Sequence, residues 1–263
     1  MSTRPKAIVL TAPGINCDLE LAEAFELAGA SAERVHVNAL AADPGLLDSA
    51  DLIGLPGGFS YGDAIAAGRI LAVMLQSTII DGLRGAVDRG VPMIAPCNGF
   101  QIATQAGLLP GPWPDGPART ETALLENDGG RFVDRWVRVE YPASKCIWTQ
   151  DLTGDDATMV LPIAHGEGRF HAEASVLSRL ESEGRVAVRY AADDDPNGSR
   201  GHIAGICDDT GLILGLMPHP ERYLHWTQHP YWTRRVVCAE DPPGLQMFRR
   251  AVQHVLQHSA APA

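Results

Sequence analysis

Three stretches carry side chains that could together perform covalent chemistry. The first centres on Cys97, which follows an apolar run over 91–95 and precedes Asn98-Gly99 and a helical segment that stops at Gly107. A nucleophile between the end of a parallel strand and the start of a helix sits on a tight turn. That turn lifts its side chain clear of the sheet and aims helix N–H groups at whatever it attacks. Small flanking residues suit such a turn, and Ala95 and Gly99 stand two positions either side of the cysteine. A helix N-terminus also favours the thiolate. The competing reading is a packed cysteine, because free cysteine is among the most buried residue types.

The second stretch is Met217-Pro-His219-Pro-Glu221-Arg222. Pro218 and Pro220 hold it extended, and residues two apart in an extended chain project to the same side. His219 and Glu221 can therefore lie together, the carboxylate holding the imidazole tautomer while the other ring nitrogen faces a thiol. The third is the Gly57-Gly58 loop after another apolar run, where the backbone could approach a ligand with its N–H groups exposed. A plain tight turn explains two glycines equally well. The N–H of Asn98 is a second candidate donor to an oxyanion. His165, Glu167 and His171 match no standard zinc spacing, and His225 and His229 are read as surface residues, so no metal site is expected. No phosphate-loop motif (G-x-x-x-x-G-K-S/T) occurs, so no ATP site is expected in this chain.

These residues need a scaffold, and the apolar periodicity supplies one. Strands are expected over 7–12, 34–38, 51–55 and 91–95, with helices over 17–28, 64–87 (interrupted near Gly82 or Gly85) and 98–106. That rhythm predicts an α/β fold with a doubly wound, mostly parallel sheet flanked by helices. Both loops of interest follow strand C-terminal ends, where open α/β sheets place their sites. Beyond a proline-rich loop at 110–117, strands over 132–140, 158–163, 186–190, 203–207 and 212–217 predict an added β-rich second half. One helix over 172–180 lies among them, and a last helix covers 245–256. The organisation expected is one domain over 1–263, with its ordered core at about 6–257.

Of 263 residues, 45% are hydrophobic and 20% charged, ordinary values for a globular chain. The net charge is −11 and the lysines are Lys6 and Lys145 alone, which argues against binding nucleic acid. The N-terminal apolar run ends at Pro13, too short for a signal peptide or a membrane span. Five scattered cysteines with no C-x-x-C pair argue against a disulfide framework and point to a reducing cytoplasm.

Taken together, Pro56-Gly-Gly-Phe-Ser-Tyr-Gly-Asp63, Cys97-Asn-Gly-Phe-Gln101, Ala164-His-Gly-Glu-Gly168 and Met217-Pro-His-Pro-Glu-Arg222 resemble one family. It comprises the glutaminase subunits of phosphoribosylformylglycinamidine synthase, which are class I (triad) glutamine amidotransferases of flavodoxin-like fold. The resemblance runs from about Ile8 to Phe248. It implies that Cys97 attacks the side-chain amide of glutamine, that His219 is the acid and base, and that Glu221 orients it. It places Gly58 and Asn98 as backbone oxyanion donors, and Gln101, Gly166 and Glu167 at the amino and carboxylate ends of glutamine. It also implies a partner synthetase that holds ATP and magnesium, with a small third subunit, and no cofactor in this chain. Ala95-Pro96 departs from the family's usual Gly-Val. The segment 223–243 is longer than in compact members, and its Trp226, Tyr231 and Trp232 suit a partner contact. Two rivals remain at this point: another elbow-cysteine hydrolase of similar fold, peptidase-like or deglycase-like, and a non-catalytic binding subunit.

Overall fold

Alternation in the first strand feeds two cores at once. In β1 (Lys6–Thr11), Ala7 and Val9 face one apolar layer while Ile8 and Leu10 face the other. The computed structural model describes residues 4–111, 121–152, 159–234 and 241–259. After β1 come α1 (Asp18–Ala28), β2 (Ser31–His36), α2 (Val37–Ala42) and β3 (Leu52–Gly54). These are followed by α3 (Arg69–Thr78), α4 (Ile80–Asp88), β4 (Met93–Pro96) and α5 (Asn98–Ala106). The second half holds β5 (Thr122–Leu125), β6 (Val133–Glu140), β7 (Val160–His165) and β8 (Arg169–Ala172). It continues through α6 (Ala174–Ser182), β9 (Val186–Tyr190), β10 (Ile203–Cys207), β11 (Ile213–Leu216) and α7 (Pro243–Ser259).

The described strands form a nine-stranded sheet in the order β2-β1-β3-β4-β11-β10-β9-β6-β7, and β5 pairs with β8 separately. The ladders from β2 to β11 are parallel, and those from β11 to β7 are antiparallel. The parallel part has the 2-1-3-4-5 order of a doubly wound sheet, its fifth place taken by a strand from the far end of the chain. One face is covered by α1 and α7, where Phe25, Trp148 and Phe248 meet edge to face at 5.2–6.4 Å. The other is covered by α3, α4 and α5 through residues such as Leu71, Leu75, Leu83 and Phe100.

Several expected boundaries move for local reasons. The strand expected over 34–38 ends at His36, whose Nδ1 accepts from the Asn38 N–H (3.2 Å) and so caps α2. The helix expected over 64–87 begins at Arg69 and breaks at Ile79, not at Gly82 or Gly85, with α3 and α4 bent by 74°. The hydroxyls of Ser77 and Thr78 both donate back to Met74 O (3.0 and 2.7 Å) at the end of α3. Such side-chain bonds compete with the helical ladder. The helix expected over 172–180 gives way at its start to β8, because Phe170 pairs with Leu124 and stacks on Phe100 at 6.4 Å. Most of the proline-rich loop, and residue 158 of an expected strand, lie outside the described residues. Among the described residues, no single helix is long and apolar enough to cross a membrane.

Candidate active site

The C-terminal ends of β1, β3, β4 and β11 converge, and each contributes a residue to one centre. Cys97 links β4 to α5 with φ 50° and ψ −111°, a conformation that costs a non-glycine residue of order 1–3 kcal/mol. Its N–H donates to Leu216 O (2.7 Å), tying the turn to β11. The Ala95-Pro96 departure is accommodated. Met93 and Cys97 both donate toward β11, so the alternate Pro96 faces β3, beyond that strand's last paired residue Gly54. Gly99 is obligatory, since a Cβ there would lie 1.9 Å from Leu55 O.

His219 follows β11, its N–H held by Pro162 O (2.8 Å) and its Nδ1 2.6 Å from Glu221 Oε1, with both side chains buried. It lies within hydrogen-bonding reach of the sulfurs of Cys97 and Cys17. Burial opposes charging of the imidazole, but the Glu221 carboxylate and the Cys97 sulfur outweigh it and hold His219 well above the usual histidine range. The expected side-by-side placement of His219 and Glu221 is therefore present. Gly57 makes the approach possible: a Cβ there would meet His219 Cε1 at 2.9 Å, Cys17 Sγ at 3.3 Å and Cys97 Cβ at 3.4 Å.

Gly58 lines the same small cavity as Cys97, with φ 141°. The Asn98 N–H opens α5, where first-turn N–H groups lack helical acceptors. The Asn98 side chain does more than the sequence suggests. Its Oδ1 accepts from Ser60 N (3.1 Å), and its Nδ2 donates to Asp63 Oδ1 (3.2 Å) and Gln101 Oε1 (2.8 Å), locking the loop after β3 to the nucleophile turn. Gln101 in turn donates to Glu167 O, so it braces the loop at 166–168. Gly166 and Glu167 line the cavity beside Cys97, and Glu167 Oε2 accepts from Ala67 N (3.2 Å).

Cys17 was missed as a member of this centre. It follows the end of β1, which was the one available signal, and its Sγ accepts from Arg222 Nη2 (3.1 Å). Donor atoms of Cys17, His219 and Glu221 lie within 4.8 Å of one another. Burial raises the Cys17 thiol above its ordinary value. His165 also lines the cavity, and its Nδ1 pairs with Asn127 Oδ1 at 3.0 Å. His229, expected on the surface, is buried among Trp136, Tyr223, Trp226 and Tyr231 at 5.3–6.1 Å. His225 stands exposed before a short 3-10 turn (Trp226–Gln228).

A cysteine on a strand–helix turn, with an extended His-Pro-Glu at the end of the adjacent parallel strand, defines an α/β protein of the nucleophile-turn cysteine class. Within that class the chain belongs to the family described as the CobB/CobQ-like glutamine amidotransferase domain, which matches residues 4–255. It is similar to the phosphoribosylformylglycinamidine synthase subunit PurQ of Dehalococcoides mccartyi, with 39% identity over 97% of this chain and 99% of that protein. The subunit PurQ of Novosphingobium aromaticivorans is 41% identical over 82% of this chain and 87% of its own length. Among solved structures, a chain of PurLQS from Thermotoga maritima superposes with a TM-score of 0.73 at 31% identity, covering 98% of this chain and all of that one (100%).

Proposed function

We propose that this chain hydrolyses glutamine to glutamate and ammonia and supplies the ammonia to a synthetase that converts formylglycinamide ribonucleotide to formylglycinamidine ribonucleotide. The observation that carries the reading is His219, buried between Glu221 and the Cys97 sulfur on a strained turn. Cys97 attacks the side-chain amide carbon, and the oxyanion that forms is met by the N–H groups of Gly58 and Asn98. His219 hands a proton to the departing ammonia as the γ-glutamyl thioester forms. Water then attacks the thioester with His219 as base, releasing glutamate and restoring the thiol. Glu221 holds the imidazole in the required tautomer throughout. Gln101, Gly166 and Glu167 line the same cavity as Cys97, and in this reading they meet the amino and carboxylate groups of glutamine.

The nitrogen acceptor belongs to a partner. The names of the similar proteins support a complex with the synthetase, which in this reading holds ATP and magnesium, joined by a small third subunit in the cytoplasm. Releasing free ammonia would waste glutamine, so the isolated chain should be a weak glutaminase. The test is co-purification with the candidate synthetase, followed by a glutamine-to-ammonia assay with and without its nucleotide substrate. Activation on assembly is expected; a full rate from the chain alone would count against the coupling.

A further inference from the structure

A second cavity, of about 660 Å³, adjoins the one that opens on Cys97, and Phe132, Gly166 and Glu167 line both. The strand β5 lines it along its whole length, in an unbroken run over 122–126. A strand met on its face would offer every second residue, so an unbroken run means that the cavity meets the edge of the strand. Among the described residues β5 pairs with β8 alone, which leaves that edge open.

The register fixes which backbone groups point into the cavity. In an antiparallel pair, opposed residues either exchange both backbone bonds or turn both outward. Phe170 opposes Leu124, and its N–H donates instead to Ser199 Oγ (3.0 Å). Leu124 therefore turns its N–H and C=O away from β8, and Thr122, two residues back, does the same. Among the described residues nothing meets these groups. Thr122-Ala-Leu-Leu125 carries no charge or proline of the kind that guards an edge, and Leu125 is exposed. Arg69, Arg131, Glu126 and Glu167 also line the cavity. Opposite charges in equal number select no small anion or cation, whereas a row of unmet N–H and C=O groups matches an extended backbone.

We propose that the open edge of β5 is a docking site for an extended segment of the partner synthetase, which adds to the strand through backbone hydrogen bonds. The proposal rests on the reading of the chain as a glutaminase that serves a synthetase. A segment seated there lies against Gly166 and Glu167, in the loop that Gln101 braces beside Cys97. Occupation is thereby felt at the site whose ammonia the synthetase receives.

The test is amide hydrogen exchange, resolved by residue, on the chain alone and in complex with the synthetase subunit. Exchange at Thr122 and Leu124 should slow at least about 10-fold on assembly, as expected for backbone hydrogen bonds gained at an interface. Ala123 and Leu125, bonded to β8, should be protected in both states. Leu124→Pro removes an outward donor and leaves the ladder to β8 intact, so affinity for the synthetase should fall about 10-fold. Thr122→Pro removes the other outward donor and is the second variant, should loss of Leu124 from its place beside Phe170 unfold the strand. Protection of Thr122 and Leu124 in the chain alone would overturn the proposal, as would protection that follows the chain's own concentration or needs the small third subunit. A complex that forms while both amides still exchange freely overturns the docking site and leaves the glutaminase reading intact. A chain that binds no synthetase overturns both.

Discussion

At the scale of single residues, the two histidines of the centre are tuned in opposite directions by their neighbours. Asn127 decides the state of His165. Its Nδ2 donates to the carbonyls of His165 (2.8 Å) and Arg131 (2.9 Å), so its Oδ1 is the acceptor for Gly168 N (3.2 Å) and for His165 Nδ1–H. The proton therefore sits on Nδ1, and Nε2 is a buried acceptor with no partner among the described residues. Burial first, and the positive charge of His219 next, lower His165 to about 4. An unfolded histidine titrates near 6.5. Between those values the unfolded chain binds the extra proton, so stability is lost as pH falls through this window, by up to about 3 kcal/mol. His219 has the opposite sign: its charge contributes most below the ordinary histidine value and is lost as pH rises through its raised folded value. Denaturant titrations from pH 7 to 4.5 should show the wild type losing stability more steeply than His165→Gln. Parallel curves would mean that His165 is not held neutral.

At the scale of elements, the nucleophile turn depends on close backbone packing more than on the side chains that flank it. Gly99→Ala would drive a methyl group into Leu55 O at the end of β3, where the backbone offers no room. A loss of about 1–3 kcal/mol in stability is expected, together with slower alkylation of Cys97 as the turn shifts away from His219. A variant as stable and as reactive as the wild type would show that the turn does not need this contact. The parallel half of the sheet was legible because buried strands such as Leu52–Gly54 and Met93–Pro96 read as apolar runs ending in glycine or cysteine turns. The pairing of His219 with Glu221 was legible because Pro218 and Pro220 confine both to one side of an extended segment. What the sequence did not disclose depended on distant partners. The pairing of β5 with β8 is set by Phe170 stacking on Phe100, and the break at Ile79 by hydroxyls at the end of α3 rather than by the glycines that follow. Cys17 meets His219 only because β1 and β11 end at the same edge of the sheet, a contact with no trace in local spacing.

At the scale of the whole molecule, the two halves divide the work. The parallel half carries Cys97, Gly58 and Asn98 at its carboxyl edge. The antiparallel half supplies the loop after β7 that carries Gly166 and Glu167, and Gln101 joins the two through its bond to Glu167 O. The cavity between them encloses about 140 Å³ and, among the described residues, no lysine or arginine lines it. Of the three aromatics expected at a partner contact, Tyr231 and Trp232 are exposed, whereas Trp226 is half-buried and stacks on His229. The central claim is that Cys97 serves glutamine hydrolysis alone, and the Cys97→Ala variant of the assembled complex tests it most directly. Synthesis of formylglycinamidine ribonucleotide should be abolished with glutamine as nitrogen source and preserved with added ammonium. Loss of both activities, or persistence of glutamine-dependent synthesis, would contradict the account.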